Sequence, residues 1–466
     1  MRALSSMGFA LFGAALVAIS YGLARFAFGL FVPSISAELD LSAYLVGIIG
    51  ALPFISFVLA TAVAPFAANL MGARYLAVLS GFLGVVGLGL ISESVNAIML
   101  GVGVFVCGIC TGLMMPALTA AMQSVVSRSM HGRVSSIMNA GTSIGIMVAV
   151  PTVVFLADAW RVTYEGFAFL ALLGVVAAWY FIPSVSRVIP ANAAPPPSLT
   201  RSQWSRLIRL TLFAFAMGFV SAPYWLFAPD LAVNLGALAS NHTGWLWFAA
   251  GLAGLGGAVV SDLADRNNPP ITQALMLMML ASSLVLLAAS PGNLGLAIFS
   301  ALVFGLAYMS LTGLYLMTGI RLLPGRLSIG PVLPFMACAL GQAAGSPVIG
   351  MLVESVGYAE AFSIFATAGI LVAVLSPIYP GHIDYFADWT ESITESEEAV
   401  ADTEEPEEPQ PEDTGLQAAY DHQLVDEEGA PLDPDPDPVQ EEEDSEETEL
   451  ETESESESQS DNSDSR

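Results

Sequence analysis

Lysine is missing altogether: all 14 basic residues of this 466-residue chain are arginine. A nucleotide-binding P-loop needs a lysine on the phosphates, and a Schiff-base enzyme needs a lysine amine. An ATP motor within the chain and that branch of covalent catalysis are therefore excluded. Cysteine is scarce too, and three residues imply no disulfide framework. Cys107 and Cys110 form a C-x-x-C, but inside the apolar run GVGVFVCGICTGLMMPAL and with no histidine nearby. Packing of small residues against a neighbouring helix explains that pair better than redox or metal chemistry. No H-E-x-x-H and no cluster of metal ligands occurs, so no metal, cofactor or enzymatic activity is expected.

Charge is also scarce, at 12% of residues, and is unevenly placed. Residues 1–380 hold 13 Arg and 10 acids, whereas residues 381–466 hold 33 acids and one Arg. The net charge of −29 thus describes a tail, and the body is a low-charge, membrane-like polypeptide with mean hydropathy +0.66. The tail, with its PDPDPDP (432–438) and Glu-rich runs, repels itself and has little apolar surface to bury, so disorder is expected. Acids without lysine also suit a halophilic source.

Long apolar runs are what the body has instead. A membrane span needs ~20 mainly apolar residues. Candidates fall near 8–32, 44–67, 75–92, 97–123, 134–157 and 165–183, then 207–230, 243–261, 271–289, 294–319, 329–353 and 358–380. The start of the chain mimics a signal peptide, but its apolar character continues past any plausible cleavage site, so it reads as a retained first span. With the N-terminus inside, Arg2, Arg74, Arg128, Arg133, Arg187, Arg201, Arg206, Arg209, Arg266, Arg321 and Arg326 fall on cytoplasmic segments, and Arg161 alone lies outside. That positive-inside bias predicts a multi-pass cell-membrane protein with both termini cytoplasmic and a bilayer as its main partner. The Pro- and Arg-bearing segment 184–206 reads as a cytoplasmic connector between bundles at 1–183 and 207–380, with the tail at 381–466.

The two sets of spans resemble each other. An offset of 196 lays Gly22 on Gly218, Phe31 on Phe227, Pro33 on Pro229 and Asn69 on Asp265. An offset of 193 lays RSMHGRVS (128–135) on RLLPGRLS (321–328), and one of 195 lays Glu165, Phe167 and Gly174 on Glu360, Phe362 and Gly369. A collinear series of this kind indicates duplication of a six-span unit.

Twelve spans in two halves, a basic central loop and short Gly-Arg turns resemble the major facilitator superfamily of secondary transporters, over residues 1–380. That family carries a G-x-L-A-D-R-x-G-R-R loop between its second and third spans, repeated between the eighth and ninth. SDLADRNN (261–268) is similar to it, and PFAANLMGAR (65–74) is a degraded copy in which Asn69 replaces the acid while Gly72 and Arg74 survive. The resemblance implies that Asp265, Arg266, Asn69, Gly72 and Arg74 govern conformational switching. WRVTYEGF (160–167) looks like the Trp-Arg element that often precedes the family's sixth span. Two antiporter features are absent: the fourth-span arginine is Val104 here, and the fifth span lacks the Gly-Pro motif, which weakens a drug/proton antiport reading.

The family's cavity is lined by spans 1, 4, 7 and 10, with 5 and 11 close by. Arg25 stands out in YGLARFAFGLFVP (21–33), because an isolated guanidinium in an apolar helix costs ~2.5 kcal/mol or more. It shares an α-helical face with Tyr21 and Phe28. Further candidates for substrate contact are Ser221 and Tyr224 on the seventh span, Tyr308 and Thr312 on the tenth, Gln342 on the eleventh and Asn139 on the fifth. Each has a plain alternative. Tyr and Thr often bond only a neighbouring backbone, Tyr224 fits an interfacial belt, and Arg25 fits a snorkelling residue or a partner of Asp230 or Glu38.

The expected architecture is an all-α membrane protein of twelve transmembrane helices in two six-helix bundles plus a disordered acidic tail. The expected function is alternating-access transport of a small solute, an organic anion if Arg25 binds it. The competing reading is a transport-inactive sensor or scaffold on the same fold. A monomer with a small-molecule substrate and no nucleic-acid partner is expected, and the coupling ion stays open, since no acid lies at mid-membrane depth.

Overall fold

The computed structural model describes residues 4–127, 130–156, 159–184, 199–267, 269–323 and 329–376, with side chains throughout except at 258–270. Every regular element among them is helical. In chain order the long helices are α1 (Ser6–Leu39), α2 (Ala43–Ser92), α3 (Ala97–Val125), α4 (His131–Leu156), α5 (Trp160–Phe181) and α6 (Arg201–Asn234). They continue as α7 (Gly244–Asn267), α8 (Pro269–Ala289), α9 (Leu294–Leu322), α10 (Val332–Val356) and α11 (Tyr358–Leu375). Among the described residues ten helices are long and apolar enough to cross a membrane, as befits a multi-pass membrane protein.

Polar caps set where the helices begin. The side chains of Ser42, Asn96 and Asn293 accept hydrogen bonds from the backbone N–H three residues on, at 3.3, 2.9 and 3.1 Å. Thr200 and Gln203 form a reciprocal capping box that starts α6. The 50-residue α2 has a rise of ~75 Å, more than twice the ~30 Å hydrocarbon core. It is interrupted at Gly72, whose φ of 79° and ψ of 164° suit a residue without a Cβ. The turn expected from sequence near Gly72 is this break.

One boundary moves and one helix changes its winding, for identifiable reasons. The sixth predicted span starts at Trp160 rather than near residue 165, because Trp160 and Arg161 are held in the first turn of α5. Trp160 Nε1 donates to Glu38 Oε2 at 2.6 Å, and Arg161 pairs with Glu38 Oε1 at 2.9 Å while Nη1 reaches the Ser92 carbonyl. Within α1, residues Ala18–Phe26 wind as a π-helix, a form frequent at functional sites. Its wider turn ends the simple phase shared by Tyr21, Arg25 and Phe28.

Close packing rests on small residues. Gly141 and Gly145 of α4 face the carbonyls of Ala14 and Ala18 in α1, so these helices run parallel and nearly touch. The same four-residue spacing recurs where Gly341 and Gly345 of α10 face the carbonyls of Phe215 and Phe219 in α6. Lipid is as apolar as any side chain, so such van der Waals contact replaces the hydrophobic drive. Helices from before and after the central connector also meet. Gly29 abuts the Trp225 carbonyl, Gly350 abuts the Ala43 carbonyl, and Glu354 Oε1 accepts the Tyr44 N–H at 2.8 Å.

Most of the connector, Arg2, Arg128, Asp158, Arg187, Arg326 and the acidic tail lie outside the described residues.

Candidate functional site

A cavity is lined by side chains of α1, α2, α4, α6, α9 and α10. Six residues expected at a site from sequence meet there: Tyr21, Arg25, Asn139, Tyr308, Thr312 and Gln342. Arg25 is the one charged side chain of this described lining. It is 8% exposed, and its guanidinium carbon sits 4.5 Å from the Phe57 ring centroid and 4.6 Å from that of Phe54. The Phe26 and Tyr21 rings follow at 5.2 and 6.0 Å. Such cation–π contacts are worth about 2 kcal/mol or more when desolvated, against several kcal/mol for burying the ion.

Its polar partner is neutral. Arg25 Nη2 donates to Gln342 Oε1 at 3.4 Å, a long bond, and Nε has no hydrogen-bond partner. Among the described residues no carboxylate pairs with Arg25. The acids that sequence offered as partners are engaged elsewhere: Glu38 with Trp160 and Arg161, Asp230 with Asn234 at 2.8 Å and with the Tyr358 hydroxyl. Snorkelling is also ruled out, since the guanidinium is enclosed by rings rather than raised to a surface.

Gln342 is fully buried and acts as a hub. Its Nε2 donates to the Tyr308 hydroxyl at 3.2 Å and to Ser221 Oγ at 3.5 Å, while Oε1 accepts from Arg25. Ser221 thus stands behind the cavity wall, held by its own bond to the Gly218 carbonyl. Thr312 lines the cavity but bonds back to the Tyr308 carbonyl at 2.8 Å.

Tyr224 is not in the cavity. It stacks on Phe304 at 4.0 Å, and its hydroxyl meets Ser300 Oγ at 3.0 Å, inside the packing of α6 against α9. The interfacial-belt alternative does not describe it either, because it is 1% exposed. Phe28 is likewise core, as the π-helical winding leads one to expect.

Of the residues tied to switching, Gly72 is the break in α2 and Asn69 is exposed. Arg74 Nε donates to the Ile182 carbonyl at 2.6 Å, and its guanidinium lies 6.0 Å from the Trp179 ring, fixing the segment after the break to the end of α5. Asp265 and Arg266 fall in α7, and their side chains lie outside the described residues.

The cavity also contains residues not singled out before, notably Phe57, Thr142, Met309, Phe335 and Cys338. Phe335, Cys338 and Gln342 recur at helical spacing on α10, a stripe legible in the sequence. Phe57 had no such signal. Gly141–Gly145 reads G-x-S-x-G, the spacing of a hydrolase nucleophile elbow. That elbow requires a strand-to-helix turn, whereas here the string lies inside the helix His131–Val148, with its glycines against α1.

The family model described as Major Facilitator Superfamily matches residues 14–328. No curated protein matches the chain by sequence. Among solved structures, a D-xylose-proton symporter is similar with a TM-score of 0.66 at 16% identity, over 80% of this chain and 97% of that one. A peptide transporter in complex with sulfate gives 0.65 at 15% identity, over 81% and 94%. A nucleoside transporter gives 0.62 at 13% identity, over 82% and 99%.

Proposed function

The chain belongs to the Major Facilitator Superfamily, and on that premise we propose that it is a transporter that carries a small organic anion across the membrane by alternating access. The observation that carries this reading is Arg25: buried, lining the cavity, without a described carboxylate partner, and with an unpartnered Nε. A carboxylate ligand supplies charge-assisted hydrogen bonds of ~1.5–3 kcal/mol each, which neither rings nor a neutral amide can match.

In this reading the body has twelve spans, with α2 dividing at Gly72 into two and α7 counted as one. The equivalent contacts of Gly141 and Gly145 with α1 and of Gly341 and Gly345 with α6 support a duplicated six-helix unit. The bundles at 1–183 and 207–380 rock about Arg25 and Gln342, with 184–206 as connector. The seal through Gly29, Gly350 and Glu354 closes the outer side, and both termini and the acidic tail are cytoplasmic. Asp265 and Arg266, with Asn69, Gly72 and Arg74 in the first half, govern the switch.

Reconstitution of the full chain into liposomes loaded with labelled organic anions, sugars, amino acids or cations tests the reading. Exchange of anions is expected. Movement of sugars or cations alone contradicts it, and the absence of any flux favours the sensor or scaffold.

A further inference from the structure

The cavity has a second unmet polar group. The Tyr315 side chain is 2% exposed, lines the cavity and has no hydrogen-bond partner for its hydroxyl. It lies seven residues beyond Tyr308 on α9, about 10 Å further along the wall by helical rise. Tyr308 itself is tied to Gln342, and so to the Arg25 end. The two orphaned groups therefore belong to the lining of one cavity.

Much of the remaining lining is aromatic and apolar. Tyr21, Phe26, Phe57, Tyr308, Phe335 and Met309 contribute to it. Such surfaces hold a flat ring by offset or edge contacts. The lone cation neutralises one negative charge, whereas a dicarboxylate or phosphate dianion would bring a second charge into a lining with no further cation.

Resting on the anion reading above, we infer that the ligand is an aromatic monocarboxylate with a neutral hydroxyl at its far end. Its carboxylate accepts from Arg25 in place of the long bond that Arg25 donates to Gln342. Its ring lies between the aromatic walls, and its hydroxyl pairs with Tyr315, with Asn139 on the same cavity as a second polar contact.

Calorimetric titration of the full chain in detergent, with 4-hydroxyphenylacetate, phenylacetate, acetate, succinate and D-xylose as probes, tests this. 4-Hydroxyphenylacetate is expected to bind at least about tenfold more tightly than acetate or succinate, the ring surface supplying the difference. It should exceed phenylacetate by about fivefold, the worth of one hydrogen bond. Tyr315→Phe should erase that last margin while leaving phenylacetate binding unchanged, a pattern that general loss of structure does not give. Acetate or succinate binding as tightly as the aryl acids overturns the inference and leaves the anion reading standing. Binding of D-xylose alone overturns both. A margin that survives in Tyr315→Phe overturns the placement of the hydroxyl, and failure of both aryl acids to bind overturns the ligand class.

Discussion

Arg25 and Gln342, 317 residues apart in the chain, meet in the cavity wall with Nη2 3.4 Å from Oε1. The pair joins α1 to α10 with a weak, neutral-acceptor bond that a stronger acceptor can replace. Gln342→Glu places a carboxylate where that amide oxygen stands. The new charge competes with any anionic substrate for Arg25, so substrate affinity should fall about tenfold or more while the protein stays folded. Titration of the variant against the wild type reads this directly. A change under twofold contradicts a role for Arg25 in anion binding.

At the end of α1, Glu38 serves two donors of different burial. Trp160 is 1% exposed, whereas the Arg161 and Glu38 side chains are 31% and 47% exposed. Removing the acceptor of a buried indole N–H costs about 1–3 kcal/mol, while an exposed ion pair contributes about 1 kcal/mol or less. Glu38→Ala should therefore lower the thermal stability in detergent more than Arg161→Ala does. Equal losses contradict this ranking.

The arrangement has a counterpart in the other half of the chain. At the repeat offsets, Ser34 and Glu38 correspond to Asp230 and Asn234, and Thr163 corresponds to Tyr358. Asp230, Asn234 and Tyr358 bond one another and tie α6 to α11, as Glu38 ties α1 to α5. The acid of this second latch stands one helical turn away from the position that matches Glu38. Polar residues in apolar runs made most of the cavity's polar lining legible, including Arg25, Gln342, Tyr308 and Asn139. Tyr224 misled because a tyrosine on the right span satisfies its hydroxyl equally well on a buried serine. Phe28 misled because an α-helical phase was applied across a π-helix that no local signal announced. Phe57 reaches the cavity only through the crossing of α2 with α1, which pattern within one helix does not encode.

Membrane orientation is testable by labelling. Glu93→Cys and Ser198→Cys, each introduced singly, should react with an impermeant maleimide from opposite sides of the membrane. Glu93 labels from outside and Ser198 from the cytoplasm, as the arginine distribution requires. Reaction of both from one side contradicts the topology.

For the proposed switching residues, Asp265→Asn should lower turnover severalfold with substrate affinity kept, because the first half already carries Asn69 at the matching position. Transport rate and binding measured on the same preparation separate the two effects. Loss of affinity with turnover kept contradicts a switching role.

The most direct measurement is the initial rate of labelled aromatic carboxylate uptake into proteoliposomes bearing wild type, Arg25→Leu or Arg25→Lys, each inserted and monodisperse. The account predicts uptake at the background of empty liposomes for Arg25→Leu, and a reduced rate for Arg25→Lys, which keeps the charge but loses the planar fork of donors. Wild-type uptake by Arg25→Leu would contradict the central claim that this buried arginine binds the transported anion.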